Sequence, residues 1–289
     1  MRDPRRLVPG IPVAALLVVA LGAAACGPTS GGDDTGDAGG HDAAADGAVD
    51  GWSWPDGASP DAPVGFVGAV YAHSSSQLYK IDPDTLDVTL VAAFDWPAGS
   101  DQMTDIALDK DGNMVGISYG TVYSVNKDTA ACTRLASLDR SFNGLSFVPA
   151  DEVGTGVEIL VGAALDGSVY RIDKTTGASS LIGNYGGGMS SSGDIVSVTG
   201  FGTVATVKQG LGTDWLVRVD ANTGVATTIG DTGVADIWGL GFWKDKVYGF
   251  TDNYEFVLVD IHTGVAQLVK TGDVAWWGAG VTTSAPYIE

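Results

Sequence analysis

The most regular pattern in the chain is a short run of alternating apolar and polar residues that ends on Asp or Asn and is followed by Thr. It occurs five times, starting at Leu78, Val122, Val169, Leu216 and Phe256. In each copy the Asp or Asn lies four residues after the first apolar position, and the Thr lies seven after it. Period-two alternation of β-branched and aromatic residues favours a strand, and Asp, Thr and Gly favour a tight turn. Each copy therefore predicts a hairpin with a bulged turn.

A second pattern precedes each hairpin and places one small residue between two apolar ones. It reads Ile106-Ala107-Leu108, Leu145-Ser146-Phe147, Val196-Ser197-Val198, Leu240-Gly241-Phe242 and Ala279-Gly280-Val281. A small central residue suits an innermost strand, where neighbouring sheets crowd around a common axis. Another apolar strand lies between this element and the hairpin, so each repeat is expected to hold four antiparallel strands.

The spacing of the repeats identifies the architecture. Their Thr residues stand at 85, 129, 176, 223 and 263, and this period is that of one β-propeller blade. The first repeat starts at its second strand, near Phe66, and the last inner strand, residues 277–281, has no hairpin after it. Joining the two leaves no open sheet edge. The sequence predicts an all-β, five-bladed β-propeller of four-stranded antiparallel blades over residues 64–289, in which the C-terminal strand closes the first blade.

The N-terminus has the features of an export signal. Residues 1–25 have a basic start, an apolar run too short to span a bilayer as a mature helix, and small residues before Cys26. Small residues directly before Cys resemble a bacterial lipobox, in which that Cys is lipidated, with palmitate among the acyl groups. A membrane partner through this lipid anchor, at the outer membrane or cell surface, is then expected. Ala23-x-Ala25 also suits an ordinary signal peptidase, which would release a soluble secreted protein.

Residues 26–63 are expected to form a disordered tether behind Cys26. They consist largely of Gly, Ala, Asp, Ser and Pro and have few large apolar residues to bury. The segment carries Asp but neither Lys nor Arg, so it should stay extended and away from an anionic bilayer.

Charge and cysteine content exclude several classes of function. The formal net charge is −20 at pH 7, which disfavours a nucleic-acid partner. Cys26 and Cys132 are the two cysteines, so a disulfide framework within the chain is not expected. Neither His73 nor His262 has a neighbour at metal-ligand spacing, and we predict no metal and no cofactor. A monomer is expected.

The repeat itself resembles known proteins. Units of the form Leu-Tyr-x-Ile-Asp-x-x-Thr-Gly resemble those of bacterial surface propellers in the broad YVTN and PQQ-repeat-like group. The lipobox and the Asp-rich tether are similar to those of myxobacterial lipoproteins. The resemblance implies that a ligand meets the face carrying the loops between blades and those joining second to third strands, called here the upper face. Propellers host unrelated activities, so the resemblance implies fold rather than function.

The candidate site residues start inner strands on the upper face: Asp105, Asn143, Asp194, Asp236, Trp238, Trp276 and Trp277. Indoles beside carboxylates and amides suit a sugar ligand, and the Asp residues suit a ring around a cation. In the alternative interpretation, the Trp side chains fill the hub while Asp and Asn cap turns.

The sequence favours a non-catalytic, envelope-anchored binding or scaffold module whose ligand is a glycan or an envelope protein. The alternative is a secreted carbohydrate-active enzyme resembling five-bladed glycosidases, which use two carboxylates on one ring face. Glu is scarce in residues 64–289, no Glu starts an inner strand, and the chain has no G-x-S-x-G element.

Overall fold

The computed structural model describes residues 68–288, which form twenty strands and one short helix, α1 (Ala150–Val153). The predicted signal segment (residues 1–25), Cys26, the tether (26–63) and the predicted start of the first blade at Phe66 lie outside the described residues. Within the described part, no helix is long and apolar enough to cross a bilayer.

The strands form five four-stranded sheets, which confirms the predicted all-β, five-bladed propeller. Blade 1 contains β1 (Val70–His73), β2 (Gln77–Ile81), β3 (Val88–Ala93) and β20 (Gly278–Gly280). Blade 2 contains β4 (Asp105–Leu108), β5 (Met114–Ile117), β6 (Thr121–Val125) and β7 (Cys132–Ser137). Blade 3 contains β8 (Gly144–Val148), β9 (Ile159–Ala163), β10 (Ser168–Ile172) and β11 (Ser179–Asn184). Blade 4 contains β12 (Ser190–Val198), β13 (Gly202–Lys208), β14 (Trp215–Val219) and β15 (Ala226–Asp231). Blade 5 contains β16 (Ile237–Trp243), β17 (Lys246–Thr251), β18 (Glu255–Asp260) and β19 (Ala266–Thr271).

The C-terminal strand closes the ring as predicted. β20 pairs antiparallel with β1, with Tyr71 opposite Gly280 and His73 opposite Gly278. The innermost strands β4, β8, β12, β16 and β20 contact one another in a closed circle. Each inner strand starts on the upper face and ends on the opposite, lower face.

Small residues in the inner strands are required by this crowding. A Cβ added to Gly239 would lie 2.6 Å from the carbonyl carbon of Gly278 in the next blade. A Cβ added to Gly193 would lie 2.4 Å from the Cα of Trp238. Real Cβ atoms do not approach backbone this closely, so glycine allows the inner strands to meet.

The outermost strand of every blade carries a β-bulge at an equivalent place. The outermost strands are β3, β7, β11, β15 and β19. Their register shifts opposite these pairs of the third strands: Leu78/Tyr79, Val122/Tyr123, Val169/Tyr170, Leu216/Val217 and Phe256/Val257. A bulge increases the local twist, which makes an exposed edge a poorer template for pairing with another chain.

After β20 the chain continues as a strap across the lower face, residues 281–288, which the sequence did not predict. The Thr282 hydroxyl donates to the carbonyl of Asp109 in blade 2 (2.8 Å), and the Thr199 amide of blade 4 donates to the carbonyl of Thr283 (2.9 Å). The Lys244 amide of blade 5 donates to the carbonyl of Pro286 (2.7 Å). The Thr283 hydroxyl also donates to the Glu158 carboxylate of blade 3, so the strap contacts blades 2, 3, 4 and 5.

Candidate functional site

A cavity of about 380 Å³ opens on the upper face above the hub. Aromatic residues of four different blades line it: Tyr119, Phe142, Trp238 and Trp277. The indole rings of Trp238 and Trp277 meet nearly at a right angle (81°), with their centroids 6.4 Å apart. Both indoles are partly exposed. The closed ring thus brings two inner-strand starts together that lie far apart in sequence.

Polar groups complete the lining of this cavity. Asp236, Asn143, Lys208, Thr104 and the serines at 190–192 contribute them. The Asn143 side-chain oxygen is buried and has no hydrogen-bond partner among residues 68–288. A buried polar atom without a partner costs free energy unless a ligand or water satisfies it. The Asn143 oxygen is therefore an unsatisfied acceptor in the wall of the cavity.

One wall of the cavity is fixed by a charged network between blades 4 and 5. Lys208 Nζ donates to Asp214 Oδ1 (2.9 Å) and to Asp236 Oδ1 (3.0 Å). Burial opposes the charge on Lys208, but the hydrogen bonds to both carboxylates outweigh it and raise the pKa of this ammonium. Asp214 Oδ2 also accepts from the Ser192 hydroxyl (2.6 Å) and the Ile237 amide (2.7 Å).

Asp236 is held in an unusual backbone conformation within this wall. Its φ is 58°, in the left-handed region that non-glycine residues seldom adopt. Such a conformation costs on the order of 1–3 kcal/mol and persists only where surrounding contacts impose it. Here the Asp252 amide donates to the Asp236 carbonyl (3.1 Å), and Lys208 holds the side chain. The strained backbone presents a carboxylate at the cavity.

Asp105 and Asp194 lie beneath the cavity rather than in its lining, and both are fully buried. Asp105 accepts from the amides of Ile106 (2.8 Å) and, across the blade boundary, of Leu145 (2.5 Å). Asp194 repeats the arrangement with its own neighbour Ile195 and with Leu240 of the next blade, at 2.6 Å each. Each carboxyl group therefore joins two adjacent inner strands.

The two buried carboxyl groups interact electrostatically with each other. Burial raises the pKa of both groups, and the charge of Asp194 raises that of Asp105 further. The amides of Leu240 and Ile195 offset part of the rise in the pKa of Asp194, because they donate to its carboxylate. His73 Nε2 lies 3.8 Å from Asp105 Oδ1, and burial lowers the pKa of His73 to about 4. At neutral pH this imidazole is neutral and adds no positive charge to the hub.

The structure thus separates the predicted site residues into three groups. Asn143, Asp236, Trp238 and Trp277 line the cavity. Asp105 and Asp194 belong to the hub below it. Trp276 is only 4% exposed and packs edge-on against Tyr79 (5.1 Å) and near Phe250 (5.3 Å), away from the cavity.

Sequence reasoning missed several lining residues. Tyr119 lies in the turn between β5 and β6, and Phe142 lies just before β8. Lys208 ends β13, and its partner Asp214 precedes β14, so both lie at the loop between second and third strands. The position of this loop on the upper face is the signal that would have identified the pair.

Neither metal chemistry nor paired-carboxylate chemistry is evident at the cavity. Among residues 68–288, no group of three or more His, Cys, Asp or Glu side chains is placed to hold a metal ion. Asp236 is the one carboxylate among the described residues that line the cavity. Asp105 and Asp194 are closed off from solvent. The arrangement suits binding by stacking and hydrogen bonding.

No protein-family model matches the chain, and no curated protein matches it. Among solved structures, the chain is similar to a protein of unknown function from Bacteroides caccae, at 9% sequence identity and a TM-score of 0.42. The match covers 72% of this chain and 73% of that chain. At this identity and TM-score, the likeness carries no information on ligand or activity.

Proposed function

We propose that this protein is an envelope-anchored, non-catalytic β-propeller that binds a glycan residue in the upper-face cavity. The fold supports a binding or scaffold module, and the choice of binding rests on one observation. Trp238 and Trp277 are partly exposed at the same cavity, which also holds Asp236 and Asn143. Indoles that only filled the hub would be buried, as Trp276 is.

The geometry of the two indoles suits a sugar. One ring stacks on the apolar face of a pyranose, and the other, turned by 81°, covers its edge. Asp236 and Lys208 offer an acceptor and a donor to hydroxyl groups, and the free Asn143 oxygen offers a further acceptor. A volume of about 380 Å³ is in the range of small-ligand pockets. A concave site of this size favours a glycan over a protein ligand.

The catalytic alternative receives less support. A glycosidase needs two carboxyl groups facing one substrate, roughly 5–10 Å apart. Asp214 is fully buried and is occupied by Lys208, Ser192 and the Ile237 amide. Asp236 is thus left without a second open carboxylate in the described lining.

The cellular address is part of the proposal and rests on sequence. The small residues before Cys26 and the Asp-rich segment behind it support a lipid-anchored protein with its propeller held off the membrane by a tether. The resemblance to YVTN and PQQ-repeat-like surface propellers and to myxobacterial lipoproteins supports the same address. The outer membrane or the cell surface is the proposed location.

Replacing Trp238 or Trp277 with Ala is expected to abolish glycan binding while changing the melting temperature little, because both rings are partly exposed. Binding to envelope polysaccharide is measured by indole fluorescence titration, and stability by thermal melting. Trp276→Ala is the matched control, and its loss of buried packing should cost about 3–5 kcal/mol of unfolding free energy. If Trp238→Ala destabilises as much as Trp276→Ala and wild type binds no polysaccharide, the indoles are core and the proposal is wrong.

Cys26→Ser is expected to abolish membrane association, because the modified thiol is the proposed anchor. Wild-type protein should fractionate with membranes and incorporate labelled palmitate, whereas the variant should accumulate as uncleaved precursor or as soluble protein. Cys132→Ser is a control for thiol labelling, since Cys132 is buried in β7. Recovery of all wild-type protein in the medium would contradict the anchor.

A further inference from the structure

The charges around the cavity do not balance. Asp214 and Asp236 both accept hydrogen bonds from a single ammonium group, that of Lys208. Asp252 lies next to Asp236, since its amide donates to the Asp236 carbonyl (3.1 Å), and burial together with the charge of Asp236 raises the pKa of the Asp252 carboxyl group. Two carboxylates and one ammonium leave a formal excess of one negative charge on this wall. An anionic ligand would be repelled.

One carboxylate oxygen on the wall is available. Asp236 Oδ1 accepts a hydrogen bond from Lys208 Nζ, while Asp236 Oδ2 accepts no hydrogen bond from residues 68–288. The Asp236 side chain is 40% exposed. A charge-assisted hydrogen bond to an ionised carboxylate is roughly twice as strong as a neutral one. Asp236 Oδ2 can therefore bind a ligand cation without displacing Lys208.

The aromatic lining favours the same charge. The faces of Trp and Tyr rings attract cations within about 6 Å of their centroids. Trp238 and Trp277 present two such rings at a right angle, and Tyr119, 58% exposed, is a third on the same cavity. Aromatic faces beside an open carboxylate are the chemistry that recognises an ammonium group.

We propose that the glycan residue bound in this cavity is an amino sugar with a free, protonated amine. The inference rests on the proposed glycan-binding function and narrows its ligand class. The pyranose stacks on one indole, and its ammonium group binds Asp236 Oδ2 within reach of the second indole. N-acetylation removes the charge and should weaken binding, and a uronic acid should be excluded.

The test compares three trimers with the same β-1,4 linkage, built from glucosamine, N-acetylglucosamine or glucose. Binding to the full chain is measured by calorimetry at pH 5.5, where the amine is protonated. We expect the glucosamine trimer to bind about tenfold more tightly than the other two trimers, because its ammonium group adds a charge-assisted hydrogen bond to the carboxylate. Asp236→Asn should remove this preference. The matched control, Asp111→Asn, removes an equal charge from the lower-face turn of blade 2 and should leave it intact.

Each result is decisive. Equal affinity for the three trimers, unchanged by Asp236→Asn, overturns the amine inference and leaves glycan binding standing. Failure of all three trimers and of envelope polysaccharide to bind overturns the proposed function as well. Spermidine carries ammonium groups but no sugar ring. It therefore distinguishes recognition of an amino sugar from the general attraction of a cation to an acidic protein. If spermidine binds as tightly as the glucosamine trimer and quenches the indoles equally, the site recognises amines without a sugar and the inference is wrong.

Discussion

Deleting residues 275–289 is expected to abolish the cooperative unfolding transition of the propeller. The deletion removes β20, which forms the inner strand of blade 1 and contacts β4 and β16 on either side. It leaves the backbone groups of β1 without a partner and exposes the apolar core that Trp276 and Ala279 cover. The truncated protein should aggregate or melt broadly, as followed by circular dichroism and light scattering.

A shorter deletion separates ring closure from the strap. Removing residues 282–289 keeps β20 and loses the contacts that the strap makes with blades 2, 3, 4 and 5. This variant should melt at a lower temperature but in one cooperative step. Deleting residues 27–60 should leave the melting temperature nearly unchanged. A cooperative, wild-type melt after deletion of 275–289 would show that β20 does not hold the ring closed.

The blade count and the closing strand were predictable because both depend on local pattern. The spacing from Asp or Asn to Thr defines each hairpin within eight residues, and five copies define the number of blades. The bulges within the outermost strands and the strap were not predicted. A bulge depends on how the fourth strand twists over its neighbour, and the strap depends on contacts with Asp109, Thr199 and Lys244 that lie far away in sequence.

The candidate site was only partly predictable for a related reason. Trp276 and Trp277 are adjacent, and alternation along a strand sends their side chains to opposite sides without saying which one faces the cavity. Packing against Tyr79 and Phe250 decides it for Trp276. Asp105 and Asp194 were expected at inner-strand starts, but the sequence did not show that they are buried. Each accepts a hydrogen bond from a backbone amide of the neighbouring blade, and that blade is distant in sequence.

The turn after each hairpin Thr shows how the blades are held against each other. The residue that follows the Thr has a left-handed φ in all five copies, and it is glycine in blades 3, 4 and 5. Leu86 (φ 61°) and Ala130 (φ 58°) adopt the same conformation in blades 1 and 2. Left-handed backbone alone therefore does not require glycine at this position. The glycine at 177 has a second reason, since it packs directly on the backbone of the preceding blade.

Gly177→Ala is therefore expected to destabilise the propeller by about 3–5 kcal/mol, the sum of a left-handed strain and a steric clash. A Cβ at this position would lie 1.9 Å from the carbonyl oxygen of Ser137, which is backbone and cannot rotate away. Gly112→Ala is the matched control, because Gly112 has nearly the same φ (78° against 74°) and a Cβ there meets nothing within 4 Å.

Gly112→Ala should lower the free energy of unfolding by only about 1 kcal/mol, since it adds left-handed strain without a steric clash. Both variants are compared by urea unfolding, with equal m-values as the sign that the denatured state is unchanged. A large loss confined to Gly177→Ala locates the cost at the contact between blades 2 and 3. Equal losses would mean that backbone conformation, and not the approach of one blade to the next, explains the glycine at this turn.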